Sequence, residues 1–353
     1  REQMVEAAHF YYIENQNQKS IADQLRLTIG QASTVLQLAK SHKAVRFVVH
    51  PVVETEHARH IEHKFNLNRV IVVRDVADDQ SNVLSRLWGD AAANYFMELW
   101  QEHQQRSPNR ELHVALTGGQ VFLEMVTALP DVRRDNLFVH VPALIGHGRL
   151  PQQSTHVNAL AVASMLWARS GRLPGHIEYA TVSPHPTNVQ PGPEARKAVK
   201  QELEKLAANR AIREVLNAMN KLDVVFSRIG RINPDVSEDV RQRQTMDTYL
   251  KSVVTTKELQ KEGAVGAFAY SLYDENGNDD ERWRFFLTAG HGTPHSGVGF
   301  YQEMVLRAKT VVGIGNSLPA VRAGLRGKIF NVLITDQTTA RAIAEDLRTN
   351  LRN

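Results

Sequence analysis

Up to about Lys40 the apolar residues recur at helical spacing; beyond Val52 they gather into short runs separated by longer amphipathic stretches. Val5, Ala8, Phe10, Tyr12 and Ile13 predict a first helix that ends near 14–17. A second starts around Gln18 and carries Ile21, Ala22 and Leu25. Thr28 can cap a third, whose inner face is Ala32, Val35, Leu36 and Ala39. A strand over 45–49 follows. A short helix, a tight turn and a second helix with a small and apolar inner face predict a helix-turn-helix, whose second helix enters a DNA major groove. The same pattern also fits a three-helix packing or dimerisation module.

On the third helix the candidate DNA-binding residues are Gln31, Ser33, Thr34, Gln37 and Lys40. A Gln amide can read adenine through two hydrogen bonds, while Ser, Thr and Lys can contact phosphates. His42, Lys43 and Arg46 extend the basic side. The helix itself carries no arginine, so phosphate affinity has to be built from several copies, which predicts a homo-oligomer, dimer or tetramer, with paired half-sites.

From Val52 onward strands alternate with helices, the signature of an α/β sheet. Strands are predicted over 70–73, 112–116, 137–141, 177–182, 224–229, 311–314 and 332–334, and helices over 83–100, 157–169, 194–206 and 321–325. The domain boundary therefore falls between 1–51 and 52–353. Such sheets bind ligands at the carboxyl ends of their strands. The turns there are Thr117-Gly118-Gly119-Gln120, Ser183-Pro184-His185-Pro186, Arg228-Ile229-Gly230, Gly315-Asn316-Ser317 and Thr335-Asp336-Gln337. In the first, two glycines admit close backbone approach and a helix start offers free N–H groups to an anion or a polyol. It holds no nucleophile and no general acid.

Composition narrows the classes. The 353 residues suffice for two domains, and 42% hydrophobic with 23% charged residues is ordinary for a soluble globular chain. An excess of four positive charges is too small to argue for nucleic acid on electrostatics alone. No cysteine is present, which excludes disulfides, thiolate metal sites and thiol nucleophiles. No membrane-length apolar run and no signal-peptide pattern occur, so a cytoplasmic protein without membrane association is expected. No nearby Asp completes a clear ligand set with the histidines at 57, 60 and 63, surface histidines explain both this cluster and the pair at 291 and 295, and no metal is expected. The segment 290–299 reads as a mobile loop over or beside the pocket. Asn276-Gly277, between apolar runs at 268–273 and 283–287, reads as a hairpin turn rather than a calcium loop.

The order of segments resembles the SorC family of bacterial sugar-responsive transcription regulators. The resemblance covers nearly the whole chain: the helix-turn-helix at 18–40, Thr117-Gly118-Gly119, Gly263-Ala264-Val265-Gly266 with Tyr273-Asp274-Glu275-Asn276-Gly277, Leu325-Arg326-Gly327, and the segment from Leu333 to Ala340. It implies an effector domain with the Rossmann-like fold of phosphosugar isomerases and glucosamine-phosphate deaminases. It also implies operator DNA and a phosphorylated sugar or sugar acid as partners, a mostly tetrameric assembly, no catalytic residue and no cofactor. Ligand-binding candidates are Thr117, Gly118, Gly119, Gln120, Asn158, Arg228 and Ser317.

The chain departs from the family pattern at several points. Arg26 stands where the family often has a small residue, commonly Gly; Ile29-Gly30 replaces Arg-Pro, and Thr34 replaces an Arg. In the pocket, Ala267 replaces an Asp, Ser317 a Lys, and Arg228 the first residue of a Gly-Ile-Gly. Arg recognises phosphate or carboxylate through two hydrogen bonds, so Arg228 can replace the lost lysine from another wall. Two alternatives stand beside this: a regulator that has lost its usual ligand, and a sugar-phosphate isomerase or deaminase on the same fold. The latter needs a positioned base, and the one carboxylate the resemblance would place in the pocket is Ala267 here.

Overall fold

A computed structural model of the protein describes residues 2–12, 14, 16–41, 55–76, 81–130, 136–140, 143–144, 166, 191–232, 250 and 253–350. The expected strands at 45–49 and 177–182, most of the helix at 157–169, the turn at 183–186 and Asn158 lie outside these residues. The chain forms two compact units, 1–50 and 51–353.

In the first unit, α1 (Glu2–Tyr12), α2 (Gln18–Leu25) and α3 (Ile29–Ser41) close around Ala7, Ile21, Ala22, Ala32 and Leu36. Asn17 caps α2 by accepting the Ser20 N–H at 2.9 Å. The chain then reverses through Arg26, whose φ of 55° is left-handed. Gly is the usual residue for such a helix end because a Cβ there is strained. Thr28 and Gln31 form a reciprocal capping box: the Thr28 hydroxyl accepts the Gln31 backbone N–H at 3.2 Å and the Gln31 side-chain Oε1 accepts the Thr28 N–H at 2.8 Å.

The second unit opens with α4 (Thr55–Phe65), β1 (Arg69–Val73), α5 (Ser81–Arg106), β2 (Leu112–Leu116), α6 (Gln120–Ala128), β3 (Leu137–His140) and β4 (Ala143–Leu144). It continues with α7 (Pro193–Ala208), α8 (Arg210–Ala218), β5 (Val224–Arg231), α9 (Thr256–Lys261), β6 (Gly266–Phe268), β7 (Ser271–Tyr273) and β8 (Leu287–Thr288). It ends in α10 (Val298–Leu306), β9 (Thr310–Ile314), α11 (Leu318–Arg326), β10 (Val332–Asp336) and α12 (Gln337–Asn350). The main sheet runs β1-β10-β9-β5-β2-β3, all parallel.

Successive side chains of these strands go to opposite faces, and both faces are buried, as a parallel sheet requires. Val114, Leu116, Phe226, Val312 and Ile334 join α5 and α6 in one core. Ala115, Val225, Ile229, Val311 and Leu333 join the helices of the other. Gly89 lets α5 press on α6: a Cβ there would lie 2.5 Å from the Glu124 Cβ and 2.8 Å from the Met125 nitrogen.

The apolar runs at 268–273 and 283–287 do not pair with each other. The hairpin is instead β6 with β7, antiparallel and joined by Ala269 and Tyr270, both with positive φ (45° and 66°). Two left-handed residues make the turn whose twist matches the strands, and here non-glycine residues occupy it. Asn276-Gly277 does form a turn, but its role is packing. A Cβ on Gly277 would meet the Gly327 Cα at 2.5 Å, and the Gln302 amide donates to the carbonyls of both glycines. Two of the motifs carrying the family resemblance are thus halves of one contact.

Candidate functional site

Four of the five turns expected at the carboxyl ends of the strands meet around one cavity of about 780 Å³; the fifth, at 183–186, lies outside the described residues. Thr117 and Gly118 follow β2, Arg228 to Gly230 end β5, Asn316 and Ser317 follow β9, and Asp336 ends β10. Ala267 lines it too, so the three pocket positions where the sequence departs from the SorC pattern share one wall system. Gly119 and Gln120 do not line the cavity; the Gln120 amide donates to Glu124 one turn on at 2.6 Å. The turn at 290–297 also stays off the cavity lining and faces Asp279 and Phe286 instead.

Arg228 lies over the Trp88 ring, its guanidinium carbon 4.4 Å from the ring centre. Among the described residues it has no ion-pair partner. Burial lowers its pKa from the ordinary 12.5 to about 10, which leaves it charged at neutral pH. Beside it, Thr117 is held by its N–H to the Phe226 carbonyl at 3.2 Å. The Thr117 hydroxyl and the Trp88 indole N–H are both buried and have no hydrogen-bond partner among the described residues. Buried polar groups are paired in nearly all native proteins, so these two groups, lining the same cavity as the Arg228 guanidinium, are suited to receiving an acceptor-rich ligand.

The opposite wall is differently occupied. α12 begins at this cavity, and its first donors are taken: Asp336 accepts the Thr339 N–H at 2.9 Å, and Asp75 accepts the Thr338 N–H at 3.0 Å and its hydroxyl at 2.8 Å. The helix start is thereby filled by carboxylates of the protein itself. Ala269 is tied down by donating its N–H to the Ser227 hydroxyl at 2.9 Å, and the strained Ala269–Tyr270 turn forms another part of the wall.

Trp88, Asp75, Tyr270 and Arg231 also line the cavity and were not among the sequence candidates. Trp88 sits in the apolar stripe of α5 and reads as core; Asp75 meets Thr338 across most of the chain length. Only Asp336 had a local signal, its place in a turn after a strand.

In the helical unit, Gln37 and Thr34 are exposed on α3 and Ser33 is half-buried. The Thr34 hydroxyl donates to the Gly30 carbonyl at 3.0 Å, and Gln31 is held in the capping box. Lys40 lies on α3, with its side chain outside the described residues. Among the described residues no cluster of His, Asp or Glu is placed to hold a metal, and no helix is long and apolar enough to cross a membrane.

Residues 186–345 match the family model described as "Putative sugar-binding domain". The chain is 24% identical over 349 residues to the deoxyribonucleoside regulator of Bacillus subtilis (strain 168), covering 97% of each. The full-length sorbitol operon regulator SorC from Klebsiella pneumoniae superposes with a TM-score of 0.63 at 16% identity, over 97% of this chain and 98% of that one. A transcriptional regulator from Streptococcus pneumoniae TIGR4 gives 0.59 at 16% identity, over 83% and 97%. The domain model thus matches a sugar-binding domain, the fold is that of the SorC-type structures, and the α/β class is shown with it.

Proposed function

We propose that this chain, a helix-turn-helix unit followed by a sugar-binding domain of SorC type, is a DNA-binding transcription regulator. A phosphorylated sugar or sugar acid binds the cavity of the second unit and thereby changes operator binding. The observation that carries the reading is the coexistence of two features: an α3 with exposed polar residues behind a tight turn, and a cavity at the strand ends whose Arg228 has no ion-pair partner among the described residues. The regulators similar in sequence and fold support it. The protein works in the cytoplasm as a homo-oligomer, which supplies the paired half-sites a cation-poor α3 needs.

Gln37, Ser33, Thr34 and Lys40 contact DNA in this reading; Gln31 shapes the start of α3. In the cavity Arg228, Thr117, Gly118 and Ser317 hold the ligand. Catalysis is not proposed: among the described residues the cavity is lined by two carboxylates, and both cap α12. An effector acts by binding the DNA-competent and DNA-free arrangements with different affinity.

The test is selection of binding sites by the full chain from random duplex DNA, then anisotropy titration of the enriched duplex with and without glucose 6-phosphate or gluconate. A two-fold symmetric enriched sequence whose affinity shifts with one of these compounds is expected. Failure to enrich any sequence would sink the DNA-binding half of the reading.

A further inference from the structure

The cavity is electrically polarised along the strand order. Arg228 and Arg231 belong to β5, and Thr117 follows its neighbour β2. Asp336 ends β10, and Asp75 follows β10's other neighbour, β1. Between them lies β9, which contributes only the neutral Asn316 and Ser317. β5 and β10 are separated by two strand spacings, about 10 Å. That is the span of a five- or six-carbon sugar carrying one phosphate.

We infer that the ligand binds in one direction, its single acidic group on Arg228, Thr117 and the Trp88 indole, and its hydroxylated end on Asp336 and Asp75. This rests on the sensor reading above and adds to it an orientation and an exclusion. The donors that commonly cradle a phosphate at a helix start are, on α12, already bonded to the protein's own carboxylates. A second anion brought there faces two negative charges, and the Thr338 and Thr339 N–H groups are already bonded to them. Hydroxyl or amine groups, by contrast, find acceptors, because each carboxylate oxygen has a further lone pair. At the other end, the indole N–H is buried and unpartnered among the described residues and can only donate, which suits an anion and not a hydroxyl hydrogen. Compounds acidic at both ends are therefore rejected, and neutral sugars lose the Arg228 contact.

Calorimetric titration of the full chain with inorganic phosphate, glucose 6-phosphate, gluconate and fructose 1,6-bisphosphate tests the orientation. The monoacidic sugars should compete with inorganic phosphate, and Arg228→Met should weaken all three at least tenfold. The bisphosphate should bind no more tightly than the monophosphate. Asp75→Asn and, separately, Asp336→Asn should shift the ratio toward the bisphosphate severalfold; Asn keeps an acceptor for capping α12, so the fold is retained. A bisphosphate that binds wild type more tightly than the monophosphate, or a ratio unmoved by both Asn variants, overturns the orientation and leaves the sensor reading standing. If neither inorganic phosphate nor any sugar acid or phosphate binds, both fall together.

Discussion

Arg228 makes the empty protein less stable than it could be, and that cost can be measured. The guanidinium is charged in both folded and unfolded chains at neutral pH, but burial lowers its folded pKa to about 10. A depression of that size corresponds to about 3 kcal/mol against the charged folded form. The penalty holds at every pH below the folded value, since the unfolded chain keeps its proton more firmly throughout. Two effects reduce it. The residue is half-buried and not sealed, which allows water to solvate part of the charge. The contact with Trp88 returns about 0.5–2 kcal/mol. A net destabilisation of about 1 kcal/mol remains.

Methionine has similar reach, no charge and a polarisable sulfur that can stay on the indole. In phosphate-free buffer Arg228→Met should therefore unfold at higher urea, by about 1 kcal/mol, when followed by far-UV circular dichroism. In glucose 6-phosphate at a hundred times the wild-type dissociation constant, wild type gains about 2.7 kcal/mol and a variant that binds tenfold more weakly about 1.4 kcal/mol, so the order reverses. A Met variant less stable than wild type by 1 kcal/mol or more without ligand would refute the reasoning, because Arg228 would then be held by the protein as a structural cation.

Two further perturbations probe other parts. Arg26→Gly should stabilise the helical unit by about 1 kcal/mol, since the φ of 55° at the end of α2 is strained for any residue with a Cβ; a loss of thermal stability would show the guanidinium to be needed in the fold. His140, buried on β3 with its Nε2 2.9 Å from the His113 Nδ1, has its pKa lowered to about 4 by burial first and by His113 and Lys221 next, against the opposing pull of Asp223. The unfolded chain therefore binds the proton first, and stability falls by up to about 3 kcal/mol as pH drops from about 6.5 to 4. His140→Gln should flatten that part of the urea-denaturation profile, and an unchanged slope would dismiss His140 as its source.

Local pattern reached some of these features and missed others for identifiable reasons. Strands such as 112–116 and the capped start of α3 follow from hydrophobic period and end signals, which act within a few residues. The cavity wall was legible wherever it consists of turns after strands, because sheet topology alone brings those turns together. Trp88 was hidden because a helix places an indole on its buried stripe for packing as readily as for ligand binding. The bond from Asp75 to Thr338 and the His113–His140 pair depend on which strands become neighbours, and periodicity does not specify that order. The hairpin was misplaced for a related reason. Asn-Gly is the strongest short-range hairpin signal, yet the tighter turn uses Ala269 and Tyr270, where the surrounding bond to Ser227 outweighs the intrinsic preference.

Positions 267 and 228, where the sequence departs from the SorC pattern, are neighbours on the paired strands β6 and β5. Ala267 on β6 pairs with Gly230 on β5, and a Cβ built on Gly230 would stand 3.4 Å from the Ala267 Cβ. Residue 228 shares that face of β5, two positions along, so a side chain at 267 is its diagonal neighbour and within reach of a guanidinium. A carboxylate at 267 would pair with Arg228, remove its desolvation penalty and cancel the charge that the proposed ligand site offers. An arginine here with the family's usual Asp would thus yield a stable and unresponsive pocket. Ala267→Asp in this chain should reproduce that state, raising the folding stability of the empty protein while lowering phosphate affinity at least tenfold. The combination distinguishes pairing from simple damage, which would lower both. If Ala267→Asp binds inorganic phosphate as tightly as wild type, Arg228 is not the anion's partner and the coupling of the two positions is wrong.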